Sequence, residues 1–91
     1  MLKCILVSAT DRLEEIDLEG VFVQAVTGEL GVLRNHLPLV AKLKNNSVLR
    51  LKTARDQKFY TLGNNSFLHF SNNEAVVLTQ SFSAVKILNC V

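Results

Sequence analysis

A chain of 91 residues that is 48% hydrophobic and 20% charged, with four glycines and one proline, forms one small domain and excludes a disordered tail, a collagen-like repeat or a low-complexity segment. The formal charge of +2 is too small to argue for a nucleic-acid partner by itself. A domain of this size buries only about 60–70% of the surface that its unfolded chain exposes, so it has little stability in reserve and a partner surface is expected.

The hydrophobic period is mostly two, and β-branched residues, Leu and aromatics fill it, which is the pattern of strands. Residues 3–8 make a first predicted strand, and their short apolar run is too brief for a signal-peptide core. No later stretch approaches the roughly 18–20 apolar residues of a membrane-spanning helix. Residues 11–18 are ambiguous: Leu13, Ile16 and Leu18 have helix-like spacing, and a surface loop or bent strand fits as well. Gly20 then introduces a strand over 21–26. The segment 28–39 interleaves two glycines and a proline with apolar side chains, so it is neither a hydrophilic loop nor a clean strand. It is expected to bend at its glycines and still bury Leu30, Val32 and Leu33, as a loop folded under its own core.

Further strands are predicted over 39–44, 48–53, 58–62, 67–70 and 75–79. The turns between them carry Asn45-Asn46-Ser47, Ala54-Arg55-Asp56-Gln57, Gly63-Asn64-Asn65-Ser66 and Ser71-Asn72-Asn73-Glu74, and Asn tolerates the positive φ that turns demand. This is a meander of short strands about ten residues apart, the signature of an antiparallel sandwich or barrel. Residues 82–91 read as a last strand or the stub of a helix.

Chemistry-bearing residues are sparse. Cys4 and Cys90 stand near opposite ends without metal-ligand spacing and are read as buried reduced thiols. His36 and His69 have no His, Cys or acid three or four residues on, so no metal pair is signalled, and His69 is read as a packed or half-exposed strand imidazole. Five of the eight acids (Asp11, Glu14, Glu15, Asp17 and Glu19) lie together, and they could serve as general acid and base only if folding set two of them in an apolar cleft. Seven of the ten bases lie between Arg34 and Lys58. The strand Val48-Leu49-Arg50-Leu51-Lys52 beside Phe59 and Tyr60 raises the alternative of a small nucleic-acid-binding β-barrel. Against that, five of the six aromatics, Phe59, Tyr60, Phe67, Phe70 and Phe82, can be absorbed by a core without Trp.

Gly28-Glu29-Leu30-Gly31-Val32-Leu33, followed by Asn35-His36 and Pro38-Leu39, closely resembles the signature GELGVLPNHAPL of the ATP synthase epsilon subunit family; Arg34 stands for the usual Pro and Leu37 for the usual Ala. Residues 39–44 look like the family's LLTALK strand and Val48-Leu49-Arg50-Leu51 like its VVRIR, while 58–63 and 74–79 occupy the places of two later strands. The loop before Glu29 is shorter than usual, and Lys44-Asn45-Asn46 and Gly63-Asn64-Asn65-Ser66 replace the family's Lys-Pro-Gly and Ser-Gly-Gly turns. The resemblance spans roughly residues 3–81.

The resemblance implies an all-β fold, an antiparallel β-sandwich of about ten short strands over residues 1–81, with 82–91 as a tail and no C-terminal helical hairpin. It further implies a non-catalytic central-stalk subunit of an F-type ATP synthase that binds the gamma subunit and the polar loops of the c-ring. Such a subunit couples proton translocation to ATP synthesis, with no catalytic residues, cofactor or metal. By resemblance, Glu29 faces a basic c-ring loop, and Leu30, Gly31, Val32, Leu33, Arg34, His36 and Pro38 shape the surface near gamma. The implied location is peripheral, on the cytoplasmic side of an energy-transducing membrane such as the bacterial inner membrane.

Overall fold

The computed structural model describes residues 2–85, which form ten strands: β1 (Leu2–Val7), β2 (Arg12–Leu18), β3 (Gly20–Ala25), β4 (Gly28–Leu33), β5 (Leu39–Lys42), β6 (Val48–Lys52), β7 (Gln57–Leu62), β8 (Phe67–Ser71), β9 (Glu74–Leu78) and β10 (Phe82–Val85). They build two five-stranded sheets, sheet I in the order β2-β1-β9-β8-β5 and sheet II in the order β10-β7-β6-β3-β4. All pairings are antiparallel except β1 with β9, which run parallel. The expected all-β sandwich of about ten strands is therefore the observed fold.

Alternation fixes the core. Leu2, Cys4 and Leu6 of β1, Val21 and Val23 of β3, Leu49 and Leu51 of β6, Tyr60 and Leu62 of β7, Leu68 and Phe70 of β8, and Ala75 and Val77 of β9 fill one cluster between the sheets. A sheet with one apolar face has to bury it against another layer, and fully burying a Leu or Phe side chain contributes about 1.5–3 kcal/mol.

The expected meander is corrected by the topology. Neighbours in sequence form hairpins at β1–β2, β3–β4, β6–β7 and β8–β9, but the chain changes sheets between β2 and β3, β4 and β5, β5 and β6, β7 and β8, and β9 and β10. Each crossing lets successive hairpins cover one another's apolar faces, which a single-sheet meander cannot do. The crossings are pinned by backbone bonds such as Leu62 N to Ser47 O at 2.8 Å and Leu43 N to Ser66 O at 2.9 Å. Ser66 Oγ, fully buried there, lies 2.8 Å from Thr79 Oγ1, which in turn donates to Ser81 O at 3.0 Å.

The ambiguous acidic segment is strand β2. Leu2 pairs with Leu18 but Cys4 with Glu15, so Ile16 and Asp17 together oppose Lys3 in a bulge, and Asp17 takes φ 57°. The extra residue is what turns Leu18 inward with Leu13, while Ile16 stays 61% exposed, so the helix-like spacing does not mark one face. The turn asparagines Asn46, Asn65, Asn72 and Asn73 all have positive φ. Of the tail, Phe82–Val85 is a strand paired with β7; the remainder, with Cys90, lies outside the described residues.

Candidate partner-docking surface

Because Leu2, Cys4 and Leu6 point into the core, Lys3, Ile5 and Val7 point out of sheet I. Parallel pairing sets Glu74, Val76 and Leu78 beside them, and antiparallel pairing continues across β8 and β5. The outer face then reads as two cross-strand rows, Glu14–Ile5–Val76–His69–Val40 and Arg12–Val7–Leu78–Phe67–Lys42. Val40 is 70% exposed, Leu78 48% and Phe67 41%. Leu37, in the loop that leads into β5, is 78% exposed. Ile5, although it lies on this side of the sheet, is only 7% exposed, so the apolar surface left open is that of Val40, Phe67, Leu78 and Leu37. An exposed apolar patch makes this face a candidate for docking.

Charges stand at both ends of the second row, but only those on the β1 and β2 side are paired with one another among the described residues. Lys3 bridges Glu74 at 3.2 Å and Glu14 at 3.6 Å, and Arg12 reaches Glu14 at 3.4 Å. Exposed ion pairs of this sort add little stability, but they neutralise that margin of the face.

The signature segment has a different form from the one expected. Residues Gly28–Leu33 are a regular edge strand, β4, joined to β3 through Val26 and Thr27, with Gly28 at φ 137°. Alternation turns Leu30 and Val32 inward and Glu29, Gly31 and Leu33 outward. Val32 is fully buried, so it anchors the strand and is unavailable to a partner, whereas Leu33, expected in the core, is 54% exposed. Gly31 has a steric reason: the Phe22 ring lies over it, and a Cβ there would sit 2.9 Å from ring carbons.

Beyond β4 the chain crosses from sheet II to sheet I through Arg34–Pro38. Asn35 takes φ 63°, its N–H donates to Asn73 Oδ1 at 2.7 Å, and Asn73 Nδ2 donates to Asn35 Oδ1 at 3.3 Å. His36 Nδ1–H donates to Leu37 O at 2.8 Å, and its ring meets buried Phe70 edge-on with centroids 6.1 Å apart. Glu29 stands at the β3–β4 hairpin, while Arg34, His36 and Pro38 lie beyond the other end of β4, a six-residue strand about 17–20 Å long. The sequence-predicted site residues are thus not brought together: Glu29 is at one end of β4, Arg34, His36 and Pro38 lie beyond the other, and Leu30–Leu33 run along the strand between them.

The acidic cluster divides as well. Glu14 faces outward, and Glu15 reaches across to sheet II, where Tyr60 Oη–H donates to Oε2 at 2.6 Å and Lys58 Nζ to Oε1 at 3.0 Å. Burial pushes the Glu15 carboxyl up, but the bonds from Tyr60 and Lys58 and the lysine's charge outweigh it and hold it below its ordinary value. Burial, then the bond to Glu15, pushes the Tyr60 hydroxyl up. Burial, with the Glu15 charge added, pushes the Cys4 thiol up to about 12. Both Glu15 oxygens are already engaged and its pKa is lowered, so this cleft latches the two sheets and is unsuited to general acid catalysis at neutral pH.

The run of bases disperses in the same way. Lys42 is on the outer face of sheet I, Arg50 and Lys52 on that of sheet II, and Lys58 is held by Glu15. Arg50 lies over the Phe22 ring, 4.3 Å from its centroid, so no single basic groove forms from these residues. The aromatics are not all absorbed by the core as expected: Phe70 and Tyr60 are buried, but Phe67 is exposed on sheet I and Phe59 half-buried on sheet II. Val40, Phe67, His69 and Leu78 were missed by the sequence reading. A signal was present in the unbroken apolar runs Cys4-Ile5-Leu6-Val7 and Ala75-Val76-Val77-Leu78, because a strand apolar on both faces is covered on both.

Residues 1–85 match the family model for the ATP synthase, Delta/Epsilon chain, beta-sandwich domain. The chain belongs to this family. It is similar to the ATP synthase epsilon chains of Lactiplantibacillus plantarum, 37% identical over 60 residues (65% of this chain, 42% of the relative), and of Lawsonia intracellularis, 36% identical over 73 residues (79% and 49%). It therefore spans about half the length of the curated relatives it matches. The fold of the delta/epsilon sandwich also recurs in a chain of the Euglena gracilis mitochondrial ATP synthase, solved as OSCP, F1 and c-ring, with a TM-score of 0.79 and 18% identity over 89% of this chain and 51% of that one.

Proposed function

We propose that this delta/epsilon sandwich is a non-catalytic component of the central stalk of an F-type ATP synthase, holding the gamma subunit through the outer face of sheet I. The observation that carries this reading is the pair of apolar rows containing Val40, Phe67 and Leu78 on a chain whose family is that of the ATP synthase delta and epsilon chains. A rotor component makes no covalent bond. Its work is to be stiff and to adhere, and a sandwich with one closed core and one uncovered apolar face supplies both.

The two ends of β4 divide the remaining contacts. Exposed Glu29, at the β3–β4 hairpin, is proposed to meet a basic c-ring loop through a charge-assisted hydrogen bond. At the far end Arg34, His36 and Pro38, with Leu37, would extend the gamma contact, with Leu33 on the same strand end. Gly31 and Val32 act through the fold: one admits the Phe22 ring and the other anchors the edge strand. A chain held at both ends would pass torque between c-ring and gamma and so couple proton translocation to ATP synthesis. It would be peripheral to the energy-transducing membrane, on the cytoplasmic side if that membrane is a bacterial inner membrane.

The test is direct. The purified chain and the gamma subunit of the same organism's ATP synthase should form a complex at micromolar concentrations in size-exclusion chromatography; separate elution at those concentrations would refute the reading.

A further inference from the structure

Building on the reading that sheet I docks gamma, we propose that this docking is proton-linked through His69: the face closes on its partner only with the imidazole neutral, and acidification drives the two apart. His69 lies in the middle of the more central apolar row, with Val76 beside it on β9 and Val40 on β5. Its neighbours on the same face of β8 are Phe67 and Ser71, neither of them charged. The flanking strands bring two charged groups, Glu74 of β9 and Lys42 of β5, each at a diagonal position. Glu74 is engaged by Lys3 at 3.2 Å, and Lys42 makes no ion pair among the described residues. One strand further out, Lys3, Glu14 and Arg12 are tied to one another.

A protonated His69 covered by an apolar partner would be a buried cation between two valines and near a lysine. The one carboxylate diagonal to it on the flanking strands, Glu74, is already engaged by Lys3. Burying such a charge is strongly unfavourable, whereas a neutral imidazole needs only its hydrogen bonds satisfied. Imidazole is the side chain whose charge ordinarily changes between pH 5 and 8. A face that accepts only the neutral form should therefore bind more weakly at pH 5.5 than at pH 7.5. The partner surface this requires is apolar and carries no carboxylate opposite His69.

Isothermal titration calorimetry of this chain with its own organism's gamma subunit at pH 7.5 and 5.5 reads the linkage. The wild-type Kd should rise several-fold on acidification. In a His36→Gln background, which removes the other imidazole proposed to contact gamma, the pH dependence should persist. Adding His69→Gln should bring the ratio between the two pH values down to about one, whatever the Kd at pH 7.5. A wild-type Kd that is flat or decreases on acidification, a His36→Gln protein that loses the dependence, or a double variant that keeps it, overturns the proton linkage through His69 and leaves the docking face standing. Absence of binding at pH 7.5 overturns the docking reading as well.

Discussion

The two outer faces of the sandwich are made from similar residues and end up in opposite conditions. On sheet II the aromatic side chain Phe22 is covered: it lies over Gly31 and Gly20 and beneath the Arg50 guanidinium at 4.3 Å. On sheet I, Val40, Phe67 and Leu78 have no such cover and stand 70%, 41% and 48% exposed. Sheet II covers the apolar centre of its outer face within the chain and leaves Leu33, Val48 and Val85 exposed singly, in three different cross-strand rows. Sheet I leaves Leu78 and Phe67 exposed side by side, with Val40 in the next row. Exposure in register across several strands, more than apolar content, therefore distinguishes a docking face from a finished surface.

Placing a charge on each face tests this contrast most severely. Phe67→Glu or Val40→Glu should weaken gamma binding by about 30-fold or more, the scale of losing one hot-spot side chain, with the circular dichroism spectrum and melting curve nearly unchanged. Arg50→Glu on the other face should do the reverse, lowering stability by about 1 kcal/mol through the lost cation–π contact and leaving the affinity of the folded protein intact. Equal losses of affinity from both faces would erase the distinction.

Gly31→Val comes next in expected size, because it attacks the cover itself. Its Cβ would lie 2.9 Å from the Phe22 ring, and a displaced ring or strand should destabilise the domain by about 1–3 kcal/mol. Combining it with Phe22→Ala should recover part of that loss in a double-mutant cycle; strict additivity would mean that the glycine is required for another reason.

These residues also show what was legible before folding. Leu49 and Leu51 alternate with Arg50 and Lys52, so β6 and its inward face could be read directly, and the Asn-rich turns announced themselves by their tolerance of positive φ. The partnering of β1 with β9 was not legible, because a parallel pair between residues 3–7 and 74–78 is a long-range choice that no local pattern encodes. The same gap hid the proposed docking face: Phe67, His69 and Val40 are neighbours only once β8 has been placed beside β5. Family resemblance located Gly28–Leu33 correctly along the chain, but strand alternation, not the motif, decides that Val32 is buried and Leu33 exposed.

Both faces depend on the sheets staying in place, and at one open side Glu15 holds them. Its carboxyl is lowered in the fold, so its contribution is complete above the ordinary carboxylate range and is lost as pH falls through the lower folded value. Tyr60 is shifted upward, so its contribution is complete below the ordinary tyrosine value of about 10 and is lost as pH rises past it. Glu15→Gln should therefore lower the urea midpoint at pH 7, with the gap to wild type closing toward pH 3. A gap that stays constant from pH 7 to pH 3 would show that the ionised carboxylate is not what the latch uses.

The smallest expected effect on gamma binding is at the opposite closure, where Asn35 is clamped to Asn73. Asn35→Ala should be the more harmful of two substitutions, since an alanine held at φ 63° is disfavoured by roughly 1–2 kcal/mol, about 4–8 °C of Tm per kcal/mol in a domain this small. Asn35→Gly keeps the backbone conformation and the N–H bond to Asn73 Oδ1 at 2.7 Å, and loses only the 3.3 Å side-chain bond, so its Tm should fall by less. Because this clamp sets where Leu37 and Pro38 enter β5, the alanine variant should also bind gamma a few-fold more weakly while the glycine variant does not. If both variants melt alike, the positive φ contributes nothing, and the motif's asparagine is retained for its side chain alone.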